Sequence, residues 1–126
     1  GMINIAIDGP AGAGKSSLSR LLAKELEYIY VDTGALYRAV GLKFSRLGFD
    51  TELNGDIEAV LSDTLVDIRF IEGEQRVFLD GKDVSEDIRT PVASMMASAV
   101  SAKSEVRAFL LEMAVFISAT KSSILS

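Results

Sequence analysis

Ile3-Asn4-Ile5-Ala6-Ile7-Asp8-Gly9-Pro10-Ala11-Gly12-Ala13-Gly14-Lys15-Ser16-Ser17, near the start of a 126-residue chain, is the stretch whose reading decides the fold. Ile3, Ile5 and Ile7, with Ala6 between them, make a short β-branched apolar run that stops at Asp8-Gly9-Pro10, as a buried strand does when it runs into a loop. Behind the glycines Leu18, Leu21, Leu22 and Leu26 recur at helical spacing, which predicts a helix over 15–26 with one buried stripe. Between the two, Gly9 to Ser16 fit G-x-x-x-x-G-K-[ST] in full. Glycines allow left-handed backbone and a close approach of N–H groups to phosphate oxygens, and the following helix start adds a partial positive charge. Gly9, Pro10, Ala11, Gly12, Ala13, Gly14, Lys15, Ser16 and Ser17 are therefore the candidate cradle for a nucleotide's phosphates. Lys15 is the candidate catalytic residue, a mobile charge for the β- and γ-phosphates, and the Ser16 hydroxyl is the candidate Mg²⁺ ligand. The plain alternative is a glycine-rich turn with a solvated lysine, and the strand before and helix after argue against it.

Working outward, Tyr28 to Val31 is a second apolar run ended by Asp32, and a strand after a crossover helix predicts a right-handed parallel βαβ unit. Leu36, Val40, Phe44 and Leu47 predict a further helix closed by Gly48. Asp32-Thr33-Gly34-Ala35-Leu36-Tyr37-Arg38 thus lies at the carboxyl edge of the sheet, where open α/β sheets bind ligands. Arg38 there can clamp a phosphate and the Thr33 hydroxyl can add a hydrogen bond. Equally, Asp32-Thr33 can be a helix cap, Tyr37 core and Arg38 a solvated charge.

The texture changes after residue 63. Val66, Ile68 and Phe70 alternate with polar residues, Gly73 interrupts, and Val77 and Leu79 alternate again before Asp80-Gly81, which predicts a small antiparallel sheet over 64–88. Thr90-Pro91 predicts a helix start, with Met95, Met96, Ala99 and Val100 on its buried side. Val106, Phe109, Leu110, Met113, Phe116 and Ile117 predict a last helix, and Ser122 to Leu125 the start of a strand. The expected organisation is a core half over 1–63, an insertion over 64–103, and a return helix with the start of a core strand over 104–126.

Bulk properties narrow the chemistry. With 48% hydrophobic and 25% charged residues the chain reads as an ordinary globular protein. No Cys and no His means no disulfide, thiol nucleophile or His-based acid–base catalysis within it. The net charge of −5 argues against a nucleic-acid partner, although six of the 13 Lys/Arg and only four of the 18 Asp/Glu fall in residues 1–46, the glycine-rich end. No apolar run approaches a membrane span or a signal-peptide core, so the expectation is a cytoplasmic protein without a membrane partner. The Asp-x-x-Gly and Asn-Lys-x-Asp segments of switch GTPases do not occur in the sequence.

Ile5-Ala6-Ile7-Asp8-Gly9-Pro10 leading into the glycine stretch, the Asp32 to Arg38 segment, and Gln75-Arg76-Val77-Phe78-Leu79-Asp80-Gly81-Lys82-Asp83-Val84-Ser85-Glu86-Asp87-Ile88-Arg89-Thr90-Pro91 closely resemble bacterial cytidylate kinases, and Val106-Arg107 and Leu110-Leu111-Glu112 continue the likeness. The resemblance implies an α/β fold of the P-loop NTPase type, a three-layer α/β/α arrangement with a parallel sheet and an inserted small antiparallel monophosphate-binding subdomain, incomplete at the C-terminus. It implies transfer of the ATP γ-phosphoryl group to CMP or dCMP with Mg²⁺, by a protein that is a monomer when complete. Carried over by position, Thr33, Arg38, Arg89, Ser98 and Arg107 are the CMP-contacting residues, the arginines holding phosphate and Ser98 the base. Without the likeness, Arg89 and Arg107 read as surface charges and Ser98 as a small helix residue. The pattern departs at Met113-Ala114-Val115-Phe116, where that family carries Gln-Arg, and Ser122-Ser123-Ile124-Leu125 is similar to a strand that the family follows with Asp-Gly-Arg-Asp. A non-catalytic nucleotide-binding fragment and a P-loop kinase for another small acceptor are the alternatives.

Overall fold

The computed structural model of the chain describes residues 4–8 and 28–125, with side chains over 31–117. The glycine-rich stretch 9–17 and the helix expected over 15–26 lie outside the described residues. β1 (Asn4–Asp8) pairs with β2 (Tyr28–Asp32) in parallel, from Asn4 opposite Tyr28 to Asp8 opposite Asp32. That is the pairing the two apolar runs predict.

α1 (Thr33–Arg46) follows β2 without a loop. Its start is fixed by Asp32, whose side chain accepts the Ala35 N–H at 3.2 Å. Its end is fixed by Gly48 at φ +92°, with the Gly48 N–H on the Ser45 carbonyl and the Phe49 N–H on the Phe44 carbonyl, both at 3.0 Å. This is a Schellman closure, and its hydrophobic partner is present: the Phe44 and Phe49 rings meet edge to face with centroids 5.0 Å apart. Leu47, expected on the buried stripe, is instead the C-cap residue and exposed, because the helix has ended before its side chain can turn inward.

A six-residue helix, α2 (Ile57–Ser62), capped by Asp56 on the Ala59 N–H at 3.0 Å, has no counterpart in the sequence reading. Its buried pair, Ile57 and Leu61, is too short a repeat to register as a period. β3 (Val66–Ile71), β4 (Glu74–Leu79) and β5 (Lys82–Asp83) then form the expected antiparallel sheet in that order. Both connections are two residues long, Glu72-Gly73 and Asp80-Gly81, and all four residues have φ between +51° and +84°. These are type I′ turns, whose twist matches that of the strands they join. Residues 87–89 form a 3₁₀ turn that leads to α3 (Pro91–Ser101), capped by the Thr90 hydroxyl on the Ala93 N–H at 3.3 Å with Pro91 first in the helix, as expected. α4 (Ser104–Leu125) ends the chain. The strand expected from Ser122 is therefore not formed: Ser122–Leu125 continue α4, where carbonyls four residues back satisfy their N–H groups with no neighbouring strand.

Phe44, Leu36 and Val40 of α1, Ile68 and Val66 of β3, Met96 and Val100 of α3, and Val106 and Ile117 of α4 are wholly buried in one core. Besides Leu47, two residues expected on the buried stripes of the later helices are not in it. Met95 (55% exposed) and Phe116 (65% exposed) stand one position from Met96 and Ile117, and one position turns a side chain about 100° around a helix. Leu111, Val115 and Phe116 leave an apolar outer strip on α4.

α1 and α3 approach each other closely at Gly41. A Cβ there would meet the Ala97 nitrogen at 2.8 Å and the Met96 carbonyl carbon at 2.9 Å, so the backbones of α1 and α3 touch. Arg46, toward the end of α1, pairs at 3.2 Å with Asp87, which precedes α3; the two helices therefore run antiparallel. The sheet is tied on by charge. Lys43 Nζ donates to the Asp80 carboxylate and to the Asp63 carbonyl, and Asp80 also accepts the Leu65 N–H at 2.8 Å. Burial works against the Asp80 charge, but these donors outweigh it and hold the carboxyl below its ordinary range. On the far edge Arg76 Nε donates to Asp83 at 2.9 Å, and Asp83 accepts the Ser85 N–H at 2.9 Å. Ser85, itself buried, accepts the Val77 N–H at 2.9 Å.

Two outcomes follow from this packing. Ala in place of Gly41 gains about 1 kcal/mol of helix propensity, but it drives a methyl group into backbone that cannot swing aside, an overpacking that costs about 1–3 kcal/mol. Gly41→Ala is expected to lower the urea midpoint with an unchanged slope; a raised midpoint would show that α3 slides freely. The second outcome concerns acid. The Ser85 hydroxyl first, then Arg76 and the Ser85 N–H, hold the Asp83 carboxyl down to about 2. An unfolded Asp titrates near 4, so the unfolded chain takes the proton first. The Asp83 contribution is complete above about pH 4 and is lost as pH falls toward 2. Asp83→Asn is expected to flatten the decline of stability over that window in acid titrations followed by circular dichroism.

Candidate functional site

The parallel pair brings Asp8 beside Asp32, so the end of β1 lies next to the first turn of α1. That turn is Thr33-Gly34-Ala35, and Asp32 is spent partly on capping it. Thr33 is 7% exposed, and its Oγ1 is buried without a hydrogen-bond partner among the described residues. Leaving a buried hydroxyl unpaired costs about 1–3 kcal/mol, so an orphan of this kind calls for an explanation. Next to it Arg38 folds back along the helix: a Cβ built on Gly34 would lie 3.8 Å from Arg38 Nη1 and 3.1 Å from Asp32 Oδ1. Glycine keeps that space open. Arg38 is half-buried and makes no ion pair or hydrogen bond among the described residues.

Because α1 and α3 run antiparallel, the first turn of α1 lies level with the end of α3, where α4 begins. Arg107, in the first turns of α4, donates from Nη1 to the Ser101 carbonyl at 2.9 Å, one of the carbonyls that a helix end leaves free. Its charge also reaches Tyr37: burial pushes the Tyr37 phenol up, and Arg107 pulls it partly back. Ser98 is exposed one turn before the end of α3; its carbonyl accepts the Ser101 hydroxyl at 2.9 Å, and its own hydroxyl makes only a limiting 3.5 Å contact to the Ser94 carbonyl. Thr33, Arg38, Arg107 and Ser98 are thus brought to one end of the α1–α3 pair. Arg89 is not with them. It is exposed in the 3₁₀ turn before α3, roughly 15 Å along the helix from Ser101.

Charge pairing divides the cations. Lys43, Arg46, Arg69 and Arg76 each bridge a carboxylate. Arg38, Arg89 and Arg107 bridge none among the described residues, and neither do Lys82 and Lys103. An arginine held in place yet left with its charge unneutralised is what an anion site requires. Gly9 to Ser17, including Lys15 and Ser16, lie outside the described residues. Among the described residues no cluster of three or more His, Cys, Asp or Glu could hold a metal ion, and no helix is long and apolar enough to cross a membrane.

The parallel β1–β2 pair with α1 at its carboxyl edge, together with the G-x-x-x-x-G-K-[ST] sequence over Gly9 to Ser16, fits an α/β protein of the P-loop class. A family model described as cytidylate kinase matches residues 5–125. The chain belongs to the cytidylate kinase family. It is 54% identical over 111 residues to a cytidylate kinase of Caldicellulosiruptor bescii, covering 88% of this chain and 49% of that protein. It is 50% identical over 111 residues to one of Pelotomaculum thermopropionicum, covering 87% and 49%, and 49% identical over 108 residues to one of Pediococcus pentosaceus, covering 84% and 47%. The chain spans about half the length of these curated relatives.

The orphan hydroxyl separates structure from function. Thr33→Val keeps the shape and removes a polar atom that has no partner among the described residues, so stability is expected to hold or rise by about 1 kcal/mol while nucleotide affinity falls. A thermal melt that drops by several degrees would mean that the hydroxyl is a structural bond after all.

Proposed function

We propose that the whole protein transfers the γ-phosphoryl group of ATP to CMP or dCMP, giving ADP and CDP or dCDP. The supporting observation is the end of the α1–α3 pair, where the buried Thr33 hydroxyl and the half-buried Arg38, neither with a partner among the described residues, lie on the first turns of α1, level with the end of α3 to which Arg107 is bonded. These are the groups expected to meet a nucleoside monophosphate: guanidinium for phosphate, hydroxyls for fine orientation, with Ser98 one turn away for the base. Arg89 is assigned to the acceptor on the resemblance alone. The relatives' printed name, cytidylate kinase, supplies the acceptor.

On the donor side, Gly9 to Ser17 take the ATP phosphates through backbone N–H groups, and Lys15 neutralises the charge that grows in transfer. Mg²⁺ keeps most of its ligands from phosphate and water and needs only one or two protein oxygens, which suits a site with Ser16 as its hydroxyl ligand and no acidic cluster among the described residues. Ser16 would hold the ion, which would supply positive charge to offset the charge that grows on the transferred phosphoryl group. Phosphoryl transfer asks little covalent chemistry of a protein, so aligning the two phosphates accounts for most of the work. The arrangement we infer has three layers around a longer parallel sheet. Residues 64–103 insert as the monophosphate-binding part between 1–63 and 104–126, in a cytoplasmic monomer.

A thermal-shift panel tests this reading. With Mg·ATP present, CMP and dCMP are expected to raise the midpoint more than UMP, AMP or shikimate, since a ligand at 100 times its Kd adds about 2.7 kcal/mol to the folded state. A larger shift with AMP or shikimate would move the protein to another acceptor, and no shift with any of them would reject the site.

A further inference from the structure

We draw no further inference here: the strongest candidate, the exposed apolar strip of Leu111, Val115 and Phe116 on the outer side of α4, carries none because nothing among the described residues shows what covers it.

Discussion

Everything at the candidate site depends on how closely α1 and α3 approach at Gly41. Backbone against backbone is the tightest packing two helices allow, and here it leaves no room even for a methyl group. The contact sets which turn of α1 lies beside which turn of α3, and the Arg46–Asp87 pair sets their direction. From those two constraints it follows that the start of α1 shares a level with the end of α3, and that Arg107, one short turn later, is delivered to Tyr37. A wider crossing would separate the Thr33 side of the site from the Ser98 side.

Charge is used in two ways on the same scaffold. Lys43 and Arg76 work as clamps, each bridging elements that hydrophobic packing alone would leave free to slide: Lys43 joins α1 to the second hairpin turn, and Arg76 joins β4 to β5 and its flank. Such half-exposed pairs contribute modestly to stability and more to register. Arg107 is held by a helix end, Arg38 lies beside the start of α1, and both keep their charge uncancelled among the described residues. A cation that is positioned but unneutralised is poor economy for folding and well suited to binding an anion.

Much of this was legible from residue order. Asp32, Thr90-Pro91, Gly48, Gly73 and Asp80-Gly81 announce caps and turns because their conformational preferences are local and strong, and each stands where it was expected. Tertiary information was not legible in the same way. Gly41 reads as an indifferent helix residue until the partner backbone is seen, and Met95 and Phe116 differ from their buried neighbours by a single step of rotation. α2 was missed because six residues hold too little period. The strand expected at Ser122 shows the limit of analogy: those residues extend a helix that satisfies its own backbone. Of the candidate site, the residue types were readable, but the pairing that sets Arg38 and Arg107 apart from Arg46 and Arg76 was not.

The two I′ turns have a kinetic consequence. Each closes a loop of two residues, so β3, β4 and β5 can find one another within microseconds, on the timescale of an isolated hairpin. β1 and β2 are separated by residues 9–27 in sequence and cannot pair until that longer separation has been closed. The antiparallel sheet should therefore gain amide protection first during refolding, and the parallel pair should gain it last.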